Sequence, residues 1–359
     1  MVTDETQSLR VAIIGYGLAG AVFHAPLVAA TPGAAVAAIV TTNPERQAQA
    51  RRDFPGAAIL ASVDEIWHNA QDYDLIVVAS PNRYHAEQGI AAMQAGLPVV
   101  IDKPLAPNAI QAQGLVSVSK KTGVSFTCFQ NRRWDGDFLT VRKLINSGLL
   151  GPITRFESRF ERYRAAPKPG AWRELPDPAE AGGLLFDLGS HLIDQAMQLF
   201  GTPERVYAEM PLRRPGAQVD DDTFVALQFP TGINAHLWMS SVAVEPVPRF
   251  LVRGLSGTFT KYGLDPQEDK LREGRRPGEY GWGSDPMTHW GKLVADVKGV
   301  AVTSTIETEL GAYETFYASV RDAVRDQMPM PVDPADVIAA LNVIEAAQRS
   351  AQTGNVVTV

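Results

Sequence analysis

Leu9-Arg10-Val11-Ala12-Ile13-Ile14-Gly15-Tyr16-Gly17-Leu18-Ala19-Gly20 reads as an aliphatic strand running straight into a G-x-G-x-x-G loop. The glycines have separate tasks in such a loop. The first permits a tight turn, the second lets backbone N–H groups approach a pyrophosphate, and the third allows close packing of helix on strand. A lone G-x-G-x-x-G is weak, and its context decides. Here it opens a series of short aliphatic strands and longer helical stretches: strand Ala34 to Thr41, helix Pro44 to Asp53, strand Leu75 to Ala79, helix Tyr84 to Ala95, strand Pro98 to Ile101, helix Ala109 to Lys121 and strand Ser125 to Phe129. Uninterrupted runs such as Leu75-Ile76-Val77-Val78-Ala79 suit strands buried on both faces. The series therefore predicts a Rossmann-like, doubly wound parallel sheet with a dinucleotide on its first loop.

Beyond about Asn131 the pattern changes to alternating stretches, Thr154 to Phe160, Phe224 to Phe229, Ile233 to Met239 and Phe250 to Leu255, interrupted by a helix around Asp187 to Phe200. Alternation implies a mainly antiparallel, open-faced sheet with one side packed on helices and one side free. At 359 residues the chain exceeds one ordinary core, so two domains are expected, 1–128 for the dinucleotide and 129–359 for substrate and assembly. Tyr262 to Trp290, rich in Gly, Pro and charge, reads as a long loop covering a site or reaching a neighbour. A helix, Pro334 to Ala351, and a short strand, Asn355 to Val359, end the chain.

A net charge of −7 argues against nucleic acid or an anionic membrane as partner, and leaves a small molecule. The one cysteine, Cys128, excludes an internal disulfide and fits a cytoplasmic protein. Met1 to Gln7 is polar and acidic, the composition of a disordered lead-in rather than a signal peptide. Dispersed histidines, His24, His68, His236 and His289, lack metal-ligand spacing, so no metal is expected.

The tip of the second strand reads Val40-Thr41-Thr42-Asn43-Pro44-Glu45-Arg46, without the carboxylate that usually holds a ribose 2′-hydroxyl. Thr41, Thr42, Asn43 and Arg46 offer donors and positive charge instead, which suits a 2′-phosphate. NADP is expected over NAD, with the backbone of Gly15, Tyr16, Gly17, Leu18, Ala19 and Gly20 on the pyrophosphate. Ser80, Pro81, Asn82 and His85, after the third long strand, lie where the nicotinamide ribose would be. Asp102 and Lys103, followed by Pro104, occupy another strand end, where open α/β sheets bind ligands.

Gly182-Gly183-Leu184-Leu185-Phe186-Asp187-Leu188-Gly189-Ser190-His191 puts a carboxylate and an imidazole four residues apart in an apolar run. On a helix they share a face and can act as one acid/base unit. Read alone, the segment equally fits a helix start capped by Asp187 with His191 as a half-buried side chain.

The glycine loop, Asp102-Lys103-Pro104 and the Gly182 to His191 segment, in that order and spacing, resemble the Gfo/Idh/MocA oxidoreductases over essentially the whole chain, and within them the NADP-dependent scyllo-inositol dehydrogenase branch. Phe23-His24-Ala25-Pro26-Leu27, Asn131-Arg132-Arg133-Trp134-Asp135 and Trp172-Arg173-Glu174 support it. The resemblance implies reversible hydride transfer between NAD(P) and a secondary alcohol of a sugar or cyclic polyol, in a homodimer or homotetramer formed through the second sheet. It implies catalytic roles for Lys103, Asp187 and His191, substrate contacts from Tyr84, Tyr163 and Asp194, and contacts from Arg132, Trp172 and Arg173 to substrate or cofactor. Asp102 departs from the family's usual glutamate. A reductase of an oxidised sugar, anhydrosugar or nucleotide sugar, and a non-catalytic NADP-binding regulator, are the alternatives.

Overall fold

The structure, a computed structural model, describes residues 8–359. The lead-in expected over Met1 to Gln7 lies outside them. The described residues form two compact units. The first runs up to Asn131 and also takes Gln267–Trp282 and Ala312–Ala335. The second comprises Arg132–Pro266, Gly283–Gly311 and Asp336–Val359.

In the first unit, strands β1 (Leu9–Ile14), β2 (Ala34–Val40), β3 (Ala58–Leu60), β4 (Leu75–Val78), β5 (Val99–Ile101) and β6 (Phe126–Cys128) form one sheet in the order β3-β2-β1-β4-β5-β6. Every pair is parallel. Helices α1 (Ala25–Ala29), α2 (Pro44–Asp53), α3 (Asp64–His68), α4 (His85–Gln94) and α5 (Ala109–Thr122) connect them. All four residues of β4 are fully buried, as a strand covered on both faces requires. The strand order reverses between β1 and β4, so the loops leaving those two strands flank the point where open α/β sheets bind ligands.

The second unit carries α6 (Gly136–Asn146), α7 (Ser190–Phe200) and a nine-stranded sheet. Its strands are β7 (Ile153–Glu161), β8 (Arg205–Glu209), β9 (Asp222–Gln228), β10 (Asn234–Ser240), β11 (Phe250–Gly254), β12 (Gly257–Lys261), β13 (Gly291–Val297), β14 (Val300–Ile306) and β15 (Val357–Thr358). The order is β14-β13-β12-β11-β7-β10-β9-β8-β15, antiparallel except for β7 with β10. Val225, Leu227, Ala235, Leu237, Phe250 and Val252 turn to the core, while Phe224, His236, Trp238 and Arg253 occupy the opposite face. The stretch read as a loop from Tyr262 to Trp290 contains helix α8 (Gln267–Arg272), and its residues 267–282 belong to the first unit with α9 (Glu314–Asp326). Helix α10 (Pro334–Thr353) precedes β15. Among the described residues no helix is long and apolar enough to cross a membrane.

The approach to α7 is built by Gly182 and Gly183. Gly183 has φ +91°, and a Cβ there would lie 1.8 Å from Asp220 Oδ1. Asp220 accepts from Leu185 N at 2.8 Å and from the Thr223 hydroxyl at 2.6 Å, so its carboxylate satisfies a donor at the start of the helical segment. Gly183→Ala combines a forbidden φ with a steric collision, and the expected loss is ~1–3 kcal/mol or more, measured by urea unfolding. Burial pushes the Asp220 carboxyl above its ordinary range despite the bonds from Thr223 and Leu185. The folded state then holds that proton to higher pH than the unfolded chain. Its contribution is fully present below the ordinary carboxylate pKa of about 4 and is lost as pH rises through the raised value. Relative to Asp220→Asn, the wild-type chain loses stability across that window, a slope readable from unfolding midpoints at several pH values.

Candidate active site

The glycine loop leaves β1 as expected. A Cβ on Gly15, at φ +103°, would come 2.4 Å from Ala79 O, and one on Gly20 would come 2.1 Å from Gly15 O. Those two positions are glycine because the protein's own backbone fills the space. Gly17 differs: among the described residues the only atom within 4 Å of its Cβ would be Arg46 Nη1, at 3.7 Å. Among the described residues no neighbour demands glycine there, so its backbone is open to the approach of a pyrophosphate. The residues present therefore fit a dinucleotide.

Leu18 and Ala19 lie partly or largely exposed on the loop, and Ala19 opens a π-helical turn, Ala19–His24. Tyr16 is buried with its hydroxyl 2.8 Å from Asp53 Oδ2, so only its backbone faces the ligand side. At the tip of β2, Asn43 caps α2, its Oδ1 accepting from Arg46 N at 3.0 Å. Thr41 is buried, whereas Thr42 and Arg46 are exposed at the start of α2, and the Arg46 guanidinium lies beside Gly17. That is a setting for a phosphate monoester.

After β4, Ser80 donates from its hydroxyl to Gln88, Pro81 is exposed, Asn82 is buried, and Tyr84 is 44% exposed. His85 departs from the role expected of it. Its ring nitrogens sit 2.7 Å from Pro104 O and 2.9 Å from Ser80 O, so it bridges the ends of β4 and β5 rather than facing a ribose. Lys103, half-buried, follows β5 and joins Pro104 through a cis peptide. Its N–H donates to Asp102 Oδ1 at 2.9 Å.

In the second unit, Asp187 lies in another π-helical turn, Leu185–Gly189, which runs on into α7 with His191 in its first turn. Both are buried, at 8% and 4% exposed. The segment is not capped by Asp187, whose own N–H bonds to Gly183 O. Arg162 and Arg173 each bring a guanidinium nitrogen to 3.7 Å from Asp187 Oδ2. Arg132 stacks over Phe160, and Trp172 and Arg173 form a short helical turn, half-buried. Tyr163 is 59% exposed. Asp194, expected to touch substrate, is held bidentate by Arg133 at 2.9 and 2.6 Å in a buried ion pair. Its neighbour Gln195 bonds Arg249 and the Arg132 carbonyl. Asp194 thus anchors the helix. Arg162 and Arg249 escaped sequence reading, as did the pairing of Arg133, because their partners lie far away in the chain. Among the described residues no group of His, Cys, Asp and Glu is placed to hold a metal.

A glycine-looped parallel sheet with a lysine at a strand end, and a separate mixed sheet whose helix buries an Asp–His pair, define a two-domain nicotinamide-type oxidoreductase. Residues 9–129 match the NAD-binding Rossmann fold of the Gfo/Idh/MocA oxidoreductase family and 142–359 match its C-terminal alpha/beta domain; the chain belongs to this family. It is 35% identical to the scyllo-inositol 2-dehydrogenase (NADP(+)) IolW of Bacillus subtilis, over 97% of this chain and 95% of that protein. It is 36% identical to the oxidoreductase YdgJ of Escherichia coli over 97% of both. The solved structure of the oxidoreductase yvaA from Bacillus subtilis superposes with a TM-score of 0.93 at 34% identity, covering 98% of this chain and 99% of that one.

The three glycines separate by experiment. Gly15→Ala destabilises the fold, whereas Gly17→Ala leaves the melting temperature within a few degrees and weakens dinucleotide binding, measured by calorimetry on both variants.

Proposed function

We propose that this chain is an NADP-dependent dehydrogenase of a secondary alcohol on a cyclic polyol or sugar ring. The observation that carries the reading is the buried Asp187–His191 pair on an otherwise apolar segment, faced by Arg162 and Arg173. Buried ionisable groups are costly, so their presence among the buried Leu185, Phe186, Leu188, Leu192 and Ile193 supports a chemical role. Support comes from a relative named for an inositol and for NADP. The bare Gly17 and the exposed Arg46 and Thr42 support the dinucleotide and its 2′-phosphate. NAD remains the second substrate of the same loop.

Oxidation of an alcohol removes a hydride from carbon and a proton from oxygen. Bound nicotinamide supplies the hydride acceptor. His191 takes the hydroxyl proton, and Asp187 orients its ring and stabilises the imidazolium that forms. Lys103 donates a hydrogen bond to the reacting oxygen as negative charge develops on it. In the reverse direction the ketone oxygen receives the proton back from His191. Ring hydroxyls are held by Tyr84, Tyr163, Arg132, Trp172 and Arg173. The chain acts in the cytoplasm as a homodimer or homotetramer, joined through the face of the second sheet that carries Phe224, His236 and Trp238.

The test is a panel of inositols, aldoses, anhydrosugars and their keto forms assayed with NADP(H) and NAD(H). Turnover is expected with a ring alcohol or its ketone. His191→Ala lowers kcat by ~10²–10⁴-fold with NADP binding retained. Arg46→Ala lowers the NADP-to-NAD ratio of kcat/KM by about tenfold or more, as loss of a charge-assisted bond implies. A chain that turns over none of the panel, or that prefers NAD strongly before mutation, contradicts the respective part of the reading. Light scattering on the purified protein decides the assembly, and a monomer contradicts it.

A further inference from the structure

Three polar side chains lie in a buried chain behind Lys103, all within the first unit. Tyr317 of α9 places its hydroxyl 2.5 Å from His24 Nδ1. His24, which ends the π-helical turn after the glycine loop, is fully buried and turns Nε2 towards Asp102 Oδ1, 3.5 Å away. That same Oδ1 accepts the N–H of Lys103. Phe129 packs 4.4 Å from the imidazole, centroid to centroid, and Phe316 packs edge-on against Phe129, so apolar rings close the chain from the side.

The ends of the chain fix where its protons sit. Burial pushes the Tyr317 hydroxyl well above its ordinary range, and the Asp102 charge adds to the effect. Tyr317 therefore keeps its proton and has it available for Nδ1. Burial opposes ionisation of Asp102, yet the His24 imidazole 3.5 Å away, His85 and Lys103 outweigh it and hold the carboxyl below its ordinary range. Asp102 therefore accepts. One imidazole tautomer satisfies both neighbours: Nδ1 as acceptor, Nε2–H as donor. The opposite tautomer would leave Nε2 a bare acceptor facing the Asp102 carboxylate, in a place where a lost bond is not replaced by water.

We propose that His24 and Tyr317 are positioning residues for Lys103. Through the Tyr317–His24 hydrogen bond and the contact of His24 Nε2 with Asp102 Oδ1 they hold the carboxylate in one orientation, and that carboxylate fixes the backbone from which Lys103 presents its ammonium. The proposal rests on the reading of Lys103 as the donor to the reacting oxygen, but the chain itself is a property of the unliganded protein. It gives a function to Phe23-His24-Ala25, a stretch that the cofactor loop does not use, and to a tyrosine 293 residues further on.

Tyr317→Phe is the primary test, because it removes one oxygen and keeps the ring. His24→Asn is the second variant. The first readout needs no substrate: nitrogen NMR of the His24 ring and hydrogen exchange at the Lys103 amide, in the full-length protein. The wild type is expected to show a protonated Nε2 and a bare Nδ1. Tyr317→Phe is expected to mix the tautomers, and both variants to exchange the Lys103 amide faster. The second readout is kinetic. In Tyr317→Phe, kcat falls ~10- to 100-fold while KM for NADP stays within about twofold, as expected for a misplaced donor. A protonated Nδ1 in the wild type, or unchanged Lys103 amide exchange in both variants, overturns the proposal whether or not a substrate is known. Unchanged kcat in Tyr317→Phe also overturns it. A melting temperature that falls without a change at the Lys103 amide or in kcat marks a purely structural network and likewise overturns it. Absence of any turnover in the wild type instead removes the dehydrogenase reading and leaves the NMR and exchange results to decide the chain.

Discussion

Helix α7 is locked against rotation by two buried arginines. The Arg249 guanidinium lies between the rings of Phe160 and Phe250, 4.1 and 4.0 Å from their centroids. It donates to Ser158 on β7 and, at 2.8 Å, to Gln195 on α7, and faces Asp137 on α6 at 3.3 Å. Arg133 grips Asp194, the residue beside Gln195. Two successive positions of one helix are thereby tied to separate partners, and His191, one turn earlier, inherits that orientation. Such buried charges are poor stabilisers compared with apolar packing, but losing one partner of a pair costs several kcal/mol, so alternative helix settings are strongly disfavoured. The second unit spends its polar burial on orientation.

Both glycine-rich segments lead into π-helical turns, Ala19–His24 and Leu185–Gly189. A π turn takes an extra residue and rotates the side chains that follow it relative to a regular helix, and such turns concentrate at functional places. After the first, His24 points inward to Tyr317 and Asp102. The second carries Asp187, and its entry is held by Asp220 against Gly183. Gly183 has a steric reason for its identity and Gly17 has none among the described residues, a contrast that separates a glycine the fold needs from one it does not.

Local chemistry made much of this legible in the sequence. The aliphatic runs of β1, β2, β4 and β5 and the G-x-G-x-x-G fixed the parallel sheet, and alternation marked β7, β9, β10 and β11. Strand β3, with three partly exposed residues, and the solvent-exposed β14 carry too little apolar contrast to stand out. The stretch 262–290 looked like a loop from its Gly, Pro and charge, yet α8 forms there, with Gln267 and Leu271 buried. The candidate residues Lys103, Asp187 and His191 were visible as motifs. What anchors them was not, because Tyr317 with His24, Asp220 with Gly183 and Arg249 with Gln195 are pairings across tens to hundreds of residues that no local period encodes. Asp194 and His85 misled for the same reason: each is a polar residue beside a motif whose partner, Arg133 or the Pro104 carbonyl, only the fold supplies.

The central claim is that this chain moves a hydride from a ring carbon to NADP. The most direct measurement is NADPH formation from a cyclic polyol carrying deuterium at the reacting carbinol, compared with the unlabelled compound in single-turnover experiments. The account predicts that NADPH forms, that deuterium slows its formation, and that the label is recovered on the nicotinamide. NADP binding without NADPH formation from any ring alcohol, or NADPH formation with the label lost to solvent, would contradict it.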